Sequence, residues 1–263
     1  MKTALTIAGS DCSGGAGIQA DIKTMSALGV YGMSVIVSIV AENTSRVISI
    51  EDVSPKMIAS QLDAVFEDIE VDAVKVGMLT SPECMTTVAN RLRQYSPKHI
   101  VVDPVMYATG GSPLMQESAI DTFIGEIIPL ATMLTPNIPE AERIVGKKIT
   151  TVDDIKEAAT QIKKLGAKAV LIKGGHYDGD ALDILFDGQN YHTYVHKRIN
   201  SKNTHGTGCT LSSAIASYLA LGFSPEAAVK NAKEYITGAI ENGLNIGKGH
   251  GPTHHFYKFY SGN

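Results

Sequence analysis

Short apolar runs alternate along this chain with longer stretches in which apolar positions recur every three or four residues. Leu5-Thr6-Ile7-Ala8 reads as a buried strand that stops at Gly9, and residues 17–28 read as a helix ended by Gly29. Residues 35–40 form the next strand-like run. Over 55–66 the apolar Ile58, Leu62, Val65 and Phe66 share one helical face. Residues 72–76, 100–102 and 132–134 have the composition of buried strands, with Pro104 and Pro136 close behind two of them. Thr151-Val152-Asp153-Asp154 opens a helix that leads to the strand Ala169-Val170-Leu171-Ile172-Lys173. After Gly175 the rhythm changes. Residues 181–186 and 191–195, joined through Asp187-Gly188, read as an antiparallel pair. Two helices follow, near 209–221 and 225–242.

Strands alternating with helices predict βαβ units, hence an α/β fold on a mainly parallel sheet. No repeat, low-complexity tract or long linker divides the 263 residues, so one domain is expected over 1–263. In such sheets ligands bind at the carboxyl ends of the strands. The polar motifs gather there: Gly9-Ser10-Asp11, Lys75-Val76-Gly77-Met78, Asp103-Pro104, Thr135-Pro136-Asn137 and Lys173-Gly174-Gly175.

Composition narrows the partners. A net charge of −4 weighs against nucleic acid and anionic membranes, which call for a basic surface. The first nine residues are too short an apolar run for a signal peptide or a membrane span. Cys12, Cys84 and Cys209 are too few and too scattered for a disulfide framework, so a reducing, cytoplasmic setting is expected.

The chemistry concentrates in His205-Gly206-Thr207-Gly208-Cys209-Thr210-Leu211. A glycine turn that opens a helix offers free backbone N–H groups and the positive end of the helix dipole to an anion. Cys209 stands at that start, where a thiol pKa is ordinarily lowered, so an ionisable thiol is expected; a buried structural cysteine is the alternative. Lys173 ends a strand before two glycines and could reach a phosphate. Asn137 and Glu140, three residues apart, could hold Mg²⁺ through waters or cap a helix, or do both, and Asp103 could add charge nearby. Residues 9–21 resemble a dinucleotide turn whose third glycine is missing. His250, His254 and His255 lack acid or cysteine partners in sequence and read as a folded tail rather than a metal site.

Taken together, Ala4 to Asp11, Ser13-Gly14-Gly15-Ala16-Gly17-Ile18-Gln19-Ala20-Asp21, Lys75 to Leu79, Thr135-Pro136-Asn137, Lys173-Gly174-Gly175-His176, Lys202 to Thr210 and Gly249-His250-Gly251-Pro252 resemble the hydroxymethylpyrimidine and phosphomethylpyrimidine kinases of thiamine biosynthesis, within the ribokinase-like superfamily. The resemblance runs nearly end to end. It implies a three-layer α/β/α sandwich and ATP- and Mg²⁺-dependent phosphorylation of 4-amino-5-hydroxymethyl-2-methylpyrimidine and then of its monophosphate, by an enzyme that is commonly a homodimer. Carried over residue by residue, it implies that Gly9, Asp21 and Met78 line the pyrimidine site and that Lys173 contacts the ATP phosphates, with Thr207 in the phosphate turn. It also implies that Asn137, Glu140 and Asp103 organise Mg²⁺, that Gly206 and Gly208 form an anion hole, and that Cys209 replaces the catalytic aspartate of most ribokinase-like enzymes.

One position departs from the pattern. The family usually carries glutamine where this chain has Glu42. A glutamine amide donates and accepts, whereas an ionised glutamate only accepts. Glu42 could pair with a ring-protonated pyrimidine, favour a pyridoxine-like ring with two donors, or face solvent. A pyridoxal or pyridoxine kinase is therefore the competing enzyme. A non-catalytic vitamer or nucleotide sensor and thiol chemistry at Cys209 are the readings from other classes.

Overall fold

The computed structural model describes residues 1–108, 110–174 and 180–260. Gly175 and His176 of the glycine motif after Lys173 lie outside the described residues. A nine-stranded sheet runs in the order β3-β2-β1-β4-β5-β6-β7-β8-β9. Its strands are β1 (Thr3–Asp11), β2 (Tyr31–Asn43), β3 (Arg46–Asp52), β4 (Ala73–Val76), β5 (Ile100–Val102), β6 (Met133–Leu134), β7 (Ala169–Ile172), β8 (Ala181–Phe186) and β9 (Tyr191–His196). Neighbours from β2 through β1 and β4 to β7 are parallel. The outer pairs β2–β3, β7–β8 and β8–β9 are antiparallel.

The helices are α1 (Gly17–Ala27), α2 (Pro55–Phe66), α3 (Pro82–Tyr95), α4 (Ile120–Thr122, one turn within an irregular run over 117–130), α5 (Ile138–Val145), α6 (Val152–Lys164), α7 (Thr207–Ala220) and α8 (Pro225–Glu241). Local chemistry sets several starts. Ser54, Ser81 and Ser224 each accept a first-turn N–H ahead of a proline that begins the helix. Asn137 with Glu140 and Thr151 with Asp154 form capping boxes at α5 and α6.

Alternation along the parallel strands splits the core into two layers. Leu5, Ile7, Val74, Val76, Ile100 and Val102 pack with α2, α3, α5 and α6. Ala4, Ala73, Val101, Met133 and Leu171 face the layer that holds α7 and α8. Ala214, Ala216 and Ala220 carry small side chains that let α7 press on β1, β4 and β5. The α/β/α sandwich and its mainly parallel sheet are thus as expected. The strand β3 was not foreseen. It pairs with a β2 that runs from Tyr31 to Asn43, well beyond the apolar 35–40 segment, because its outer residues face solvent and break the apolar signal. Among the described residues, no helix is long and apolar enough to cross a membrane.

Candidate active site

β1 has β2 on one side and β4 on the other, which makes a topological switch point where a crevice opens at the strands' carboxyl ends. A cavity of about 740 Å³ follows those ends across the sheet. Gly9 and Glu42 line it from β1 and β2, Met78 from behind β4, Asp103 from behind β5, Asn137 and Glu140 from the start of α5, and Lys173 from behind β7. The turn Gly206-Thr207-Gly208-Cys209 at the start of α7 lines its middle.

That turn is shaped by close packing. Gly206 has φ +76°, and a Cβ there would lie 1.8 Å from the carbonyl oxygen of Gly15, so no side chain fits. A Cβ on Gly208 would meet Asp103 Oδ2 at 3.2 Å and Lys173 Nζ at 3.5 Å, which places the turn's backbone against both charged groups. Thr207 Oγ1 donates to the Thr204 carbonyl at 2.8 Å and ties the turn to the chain before it.

Lys173 Nζ donates to Asp103 Oδ1 at 2.7 Å. Thr135 Oγ1 donates to the same oxygen at 3.1 Å. Burial alone would push the lysine pKa down, but the charges of Asp103 and Glu140 outweigh it and hold the ammonium charged. Asn137 Oδ1 accepts from the Glu140 N–H at 2.9 Å, and Glu140 Oε2 accepts from the Asn137 N–H at 2.8 Å. The capping reading of this pair therefore holds. Burial pushes the Glu140 carboxyl up to about 7, against the pull of Lys173 and with the added repulsion of Asp103. Two buried carboxyls thus share one ammonium, and this excess of oxygen donors fits a hard divalent cation held partly through water.

Two expectations are corrected. Asp21 does not line the cavity. It is fully buried behind the wall, where it meets Lys75 Nζ at 2.8 and 3.0 Å and accepts from Thr6 Oγ1 and Ser213 Oγ at 2.6 Å each. Its helix turns it toward α7 and β4 rather than toward a ligand. The Cys209 thiol is not lowered by its helix position. Desolvation pushes it up to about 11; the Lys75 charge and the Gly17 N–H pull the other way, and Asp21 and Asp103 push further up. Burial of a neutral-preferring sulfur beats the half-charge of a helix end.

At the β2 end, Glu42 faces the cavity rather than bulk water. Its carboxyl, Asp11 and His205 lie close together. Asp11 Oδ2 already accepts from the N–H groups of Gly15 and Ala16 at 2.9 and 2.8 Å and meets His205 Nε2 at 2.8 Å. That oxygen is spent, so the trio is a charge-sharing cluster rather than a metal cage. Burial would raise Asp11, but the bonds from His205, Ser13 and Ala16 hold it down to about 2. Burial and the Asp11 charge push Glu42 up to about 7, with His205 opposing. His205 is thus occupied with Asp11 and is not the partner that thiol chemistry at Cys209 would need.

Sequence reasoning placed Lys75 in a strand-end motif without giving it a role, and did not single out Asp183 or Lys233. Lys75 stands alone among the apolar residues of β4, and a lone lysine in a strand buried on both faces demands an acid partner. Asp183 meets Lys233 Nζ at 2.6 Å and accepts the Gly174 N–H at 2.9 Å, which anchors the chain just after Lys173. No spacing rule links β8 to α8, so that contact had no signal in the sequence. His254 and His255 pack in the tail, with His255 buried against Thr210 Oγ1 at 3.1 Å.

Known proteins resemble this chain in sequence and fold. The phosphomethylpyrimidine kinase family model matches residues 11–254. The hydroxymethylpyrimidine/phosphomethylpyrimidine kinase of Bacillus subtilis is 46% identical over 96% of this chain and 94% of its own length. The thiamine biosynthesis bifunctional protein of Geobacter sulfurreducens is 52% identical over 95% of this chain, which spans 51% of that longer protein. A crystal structure of phosphomethylpyrimidine kinase from Clostridium difficile superposes with a TM-score of 0.83 at 52% identity, covering 91% of this chain and all of that one (100%). Pyridoxal kinase from Staphylococcus aureus, solved with AMP-PCP and pyridoxal, gives 0.90 at 34% identity over 98% and 94% of the two chains. With a glycine turn, a lysine and paired carboxyls on one cavity wall, and this similarity over almost its whole length, the chain belongs to the phosphomethylpyrimidine kinase family of phosphotransferases.

Proposed function

We propose that the protein transfers the γ-phosphoryl group of ATP to the alcohol of 4-amino-5-hydroxymethyl-2-methylpyrimidine and then to the phosphate of the product; its relatives are named hydroxymethylpyrimidine/phosphomethylpyrimidine kinases. The observation that carries this is the convergence of the Gly208 backbone, Lys173 and Asp103 beside Cys209 on one cavity wall. Lys173 and the N–H groups of the 206–208 turn neutralise charge on the phosphates, Thr207 lies in that turn, and Asp103, Asn137 and Glu140 hold Mg²⁺. Bound there, Mg²⁺ supplies charge neutralisation on the nucleotide. Gly9, Met78 and Glu42 bind the ring. Cys209 takes the alcohol proton as the oxygen bonds to phosphorus and the bridging oxygen leaves with ADP. Such chemistry is mostly positioning and electrostatics.

Glu42 sets the acceptor. Below about pH 7 it is a neutral acid with one donor and one acceptor, the pattern of a glutamine amide; above it only accepts. The second reading, a pyridoxal-type acceptor, is favoured by this residue and by the fold similarity to pyridoxal kinases. Incubation with ATP, Mg²⁺ and, in parallel, the hydroxymethylpyrimidine, its phosphate and pyridoxal, with products identified by mass, separates the two. Phosphorylation of pyridoxal alone contradicts the first, and ATP binding with no product from any acceptor would support a sensor. The exposed Ile39 and Ile48 on the β2–β3 edge offer an apolar face to the homodimer, and the three free cysteines agree with a cytoplasmic setting.

A further inference from the structure

Lys75 and Asp21 have no task in the transfer described above. Alternation along β4 sends Val74 and Val76 to one core layer and Lys75 to the other, toward α1 and α7. There its fully buried ammonium lies 2.8 and 3.0 Å from the two oxygens of Asp21. Asp21 is held in turn by Ser213 Oγ at 2.6 Å. Ser213 follows Cys209 by four residues on α7, so the two side chains share a helix face. A Cβ on Gly77, next to the cavity-lining Met78, would lie 2.6 Å from Lys75 Nζ. The ammonium therefore sits behind the cavity wall beside Met78, and Asp21 and Ser213 link it to the face of α7 that carries Cys209. A dry ion pair is weak support for a fold, because desolvation offsets most of the attraction and apolar residues of similar volume pack as well.

We propose that Lys75, locked by Asp21, is a positioning residue of the reaction centre whose fixed charge sets how readily Cys209 exists as the thiolate that takes the alcohol proton. The proposal rests on the reading of Cys209 as proton acceptor. The charges that act on the sulfur come from Lys75 on β4, Asp21 on α1, Asp103 behind β5 and Lys173 behind β7, and the Gly17 N–H also pulls its pKa down. The two lysines favour the thiolate and the two acids oppose it. Against burial, which keeps the thiol high, Lys75 is the largest opposing influence. Lys75 itself exchanges no proton: burial would lower it, but the charges of Asp21, Cys209 and Asp103 hold it raised. In turnover the alcohol proton passes to the sulfur anion as the oxygen–phosphorus bond forms. The bond from phosphorus to the bridging oxygen breaks with its electron pair going to ADP, and the thiol then returns its proton to solvent.

The test is the pH dependence of Cys209 alkylation by iodoacetamide, followed by mass of the peptide that holds it, so that Cys12 and Cys84 do not interfere. Lys75→Gln is expected to move the midpoint up by about one pH unit or more, about a tenfold loss of thiolate at fixed pH. kcat should fall in the same proportion, with KM nearly unchanged, and recover as pH is raised. Asp21→Asn/Lys75→Gln leaves no uncompensated buried charge and should keep the direction at smaller size; it decides the matter if the single variant does not fold. An unmoved midpoint in a folded variant overturns the proposal while leaving the role of Cys209 standing. Full turnover by Cys209→Ala would overturn that role, and the proposal with it.

Discussion

The two ends of the cavity handle buried charge in opposite ways. At the β7 end, Lys173 and Asp103 are locked together at 2.7 Å and the glycine turn is wedged against them, so the charges are fixed before any ligand arrives. At the β2 end, Asp11 and His205 are locked at 2.8 Å, but burial and the Asp11 charge push the Glu42 carboxyl beside them up to about 7. The first arrangement suits a phosphate, whose charge never varies in kind. The second suits discrimination among rings, because its hydrogen-bond pattern changes with one proton. Under the proposed function, phosphoryl chemistry would rest on rigid geometry and acceptor choice on a titratable group.

The largest effects should come from breaking the rigid end. Lys173→Met is expected to lower kcat on the order of 10²–10³, the loss typical of one electrostatic contact made in the transition state, in a steady-state assay with ATP and Mg²⁺. Gly206→Ala puts a methyl group against the Gly15 backbone at a left-handed φ, so it should destabilise by about 1–3 kcal/mol or more and depress Tm in a thermal melt. The lock at the other end should show itself in acid. Asp11 is held at about 2 against an ordinary 3.8, so its contribution to stability is complete above 3.8 and is lost as pH falls toward 2. The expected loss, roughly 2 kcal/mol, should be absent in Asp11→Asn when denaturant unfolding is compared across that window.

The smallest effect sharpens the contrast most finely. Glu42→Gln makes the donor–acceptor pattern independent of pH. Pyrimidine KM in the parent should rise as pH passes through about 7, and that rise should vanish in the variant. The preference for pyrimidine over pyridoxal should shift by about tenfold, the worth of one exchanged hydrogen bond. A parallel pH profile in both proteins would place Glu42 away from the ring.

Much of this was legible in the chain. The apolar runs gave six parallel strands, because a strand buried on both faces is almost wholly apolar, and the Asn137–Glu140 pair and Thr151 marked helix starts. The site residues gathered where strands end, and Lys173, Asp103 and the 206–208 turn do share one wall. What was not legible depended on contacts between distant segments. Asp21 could be placed on a helix, yet its direction is set by Lys75, 54 residues away. The Cys209 thiol was misjudged because a local rule about helix ends omits the desolvation that the tertiary packing of α7 imposes. The edge strand β3 escaped because its exposed face dilutes the apolar pattern.

The central claim is that phosphoryl transfer passes between the 206–208 turn and Cys209. It is tested most directly by single-turnover transfer from ATP to the hydroxymethylpyrimidine in Cys209→Ala, with the fold checked by circular dichroism. The expected rate is lower on the order of 10²–10⁴, as for loss of a proton acceptor, with ATP affinity and melting temperature close to those of the parent. Transfer at the parental rate would contradict it.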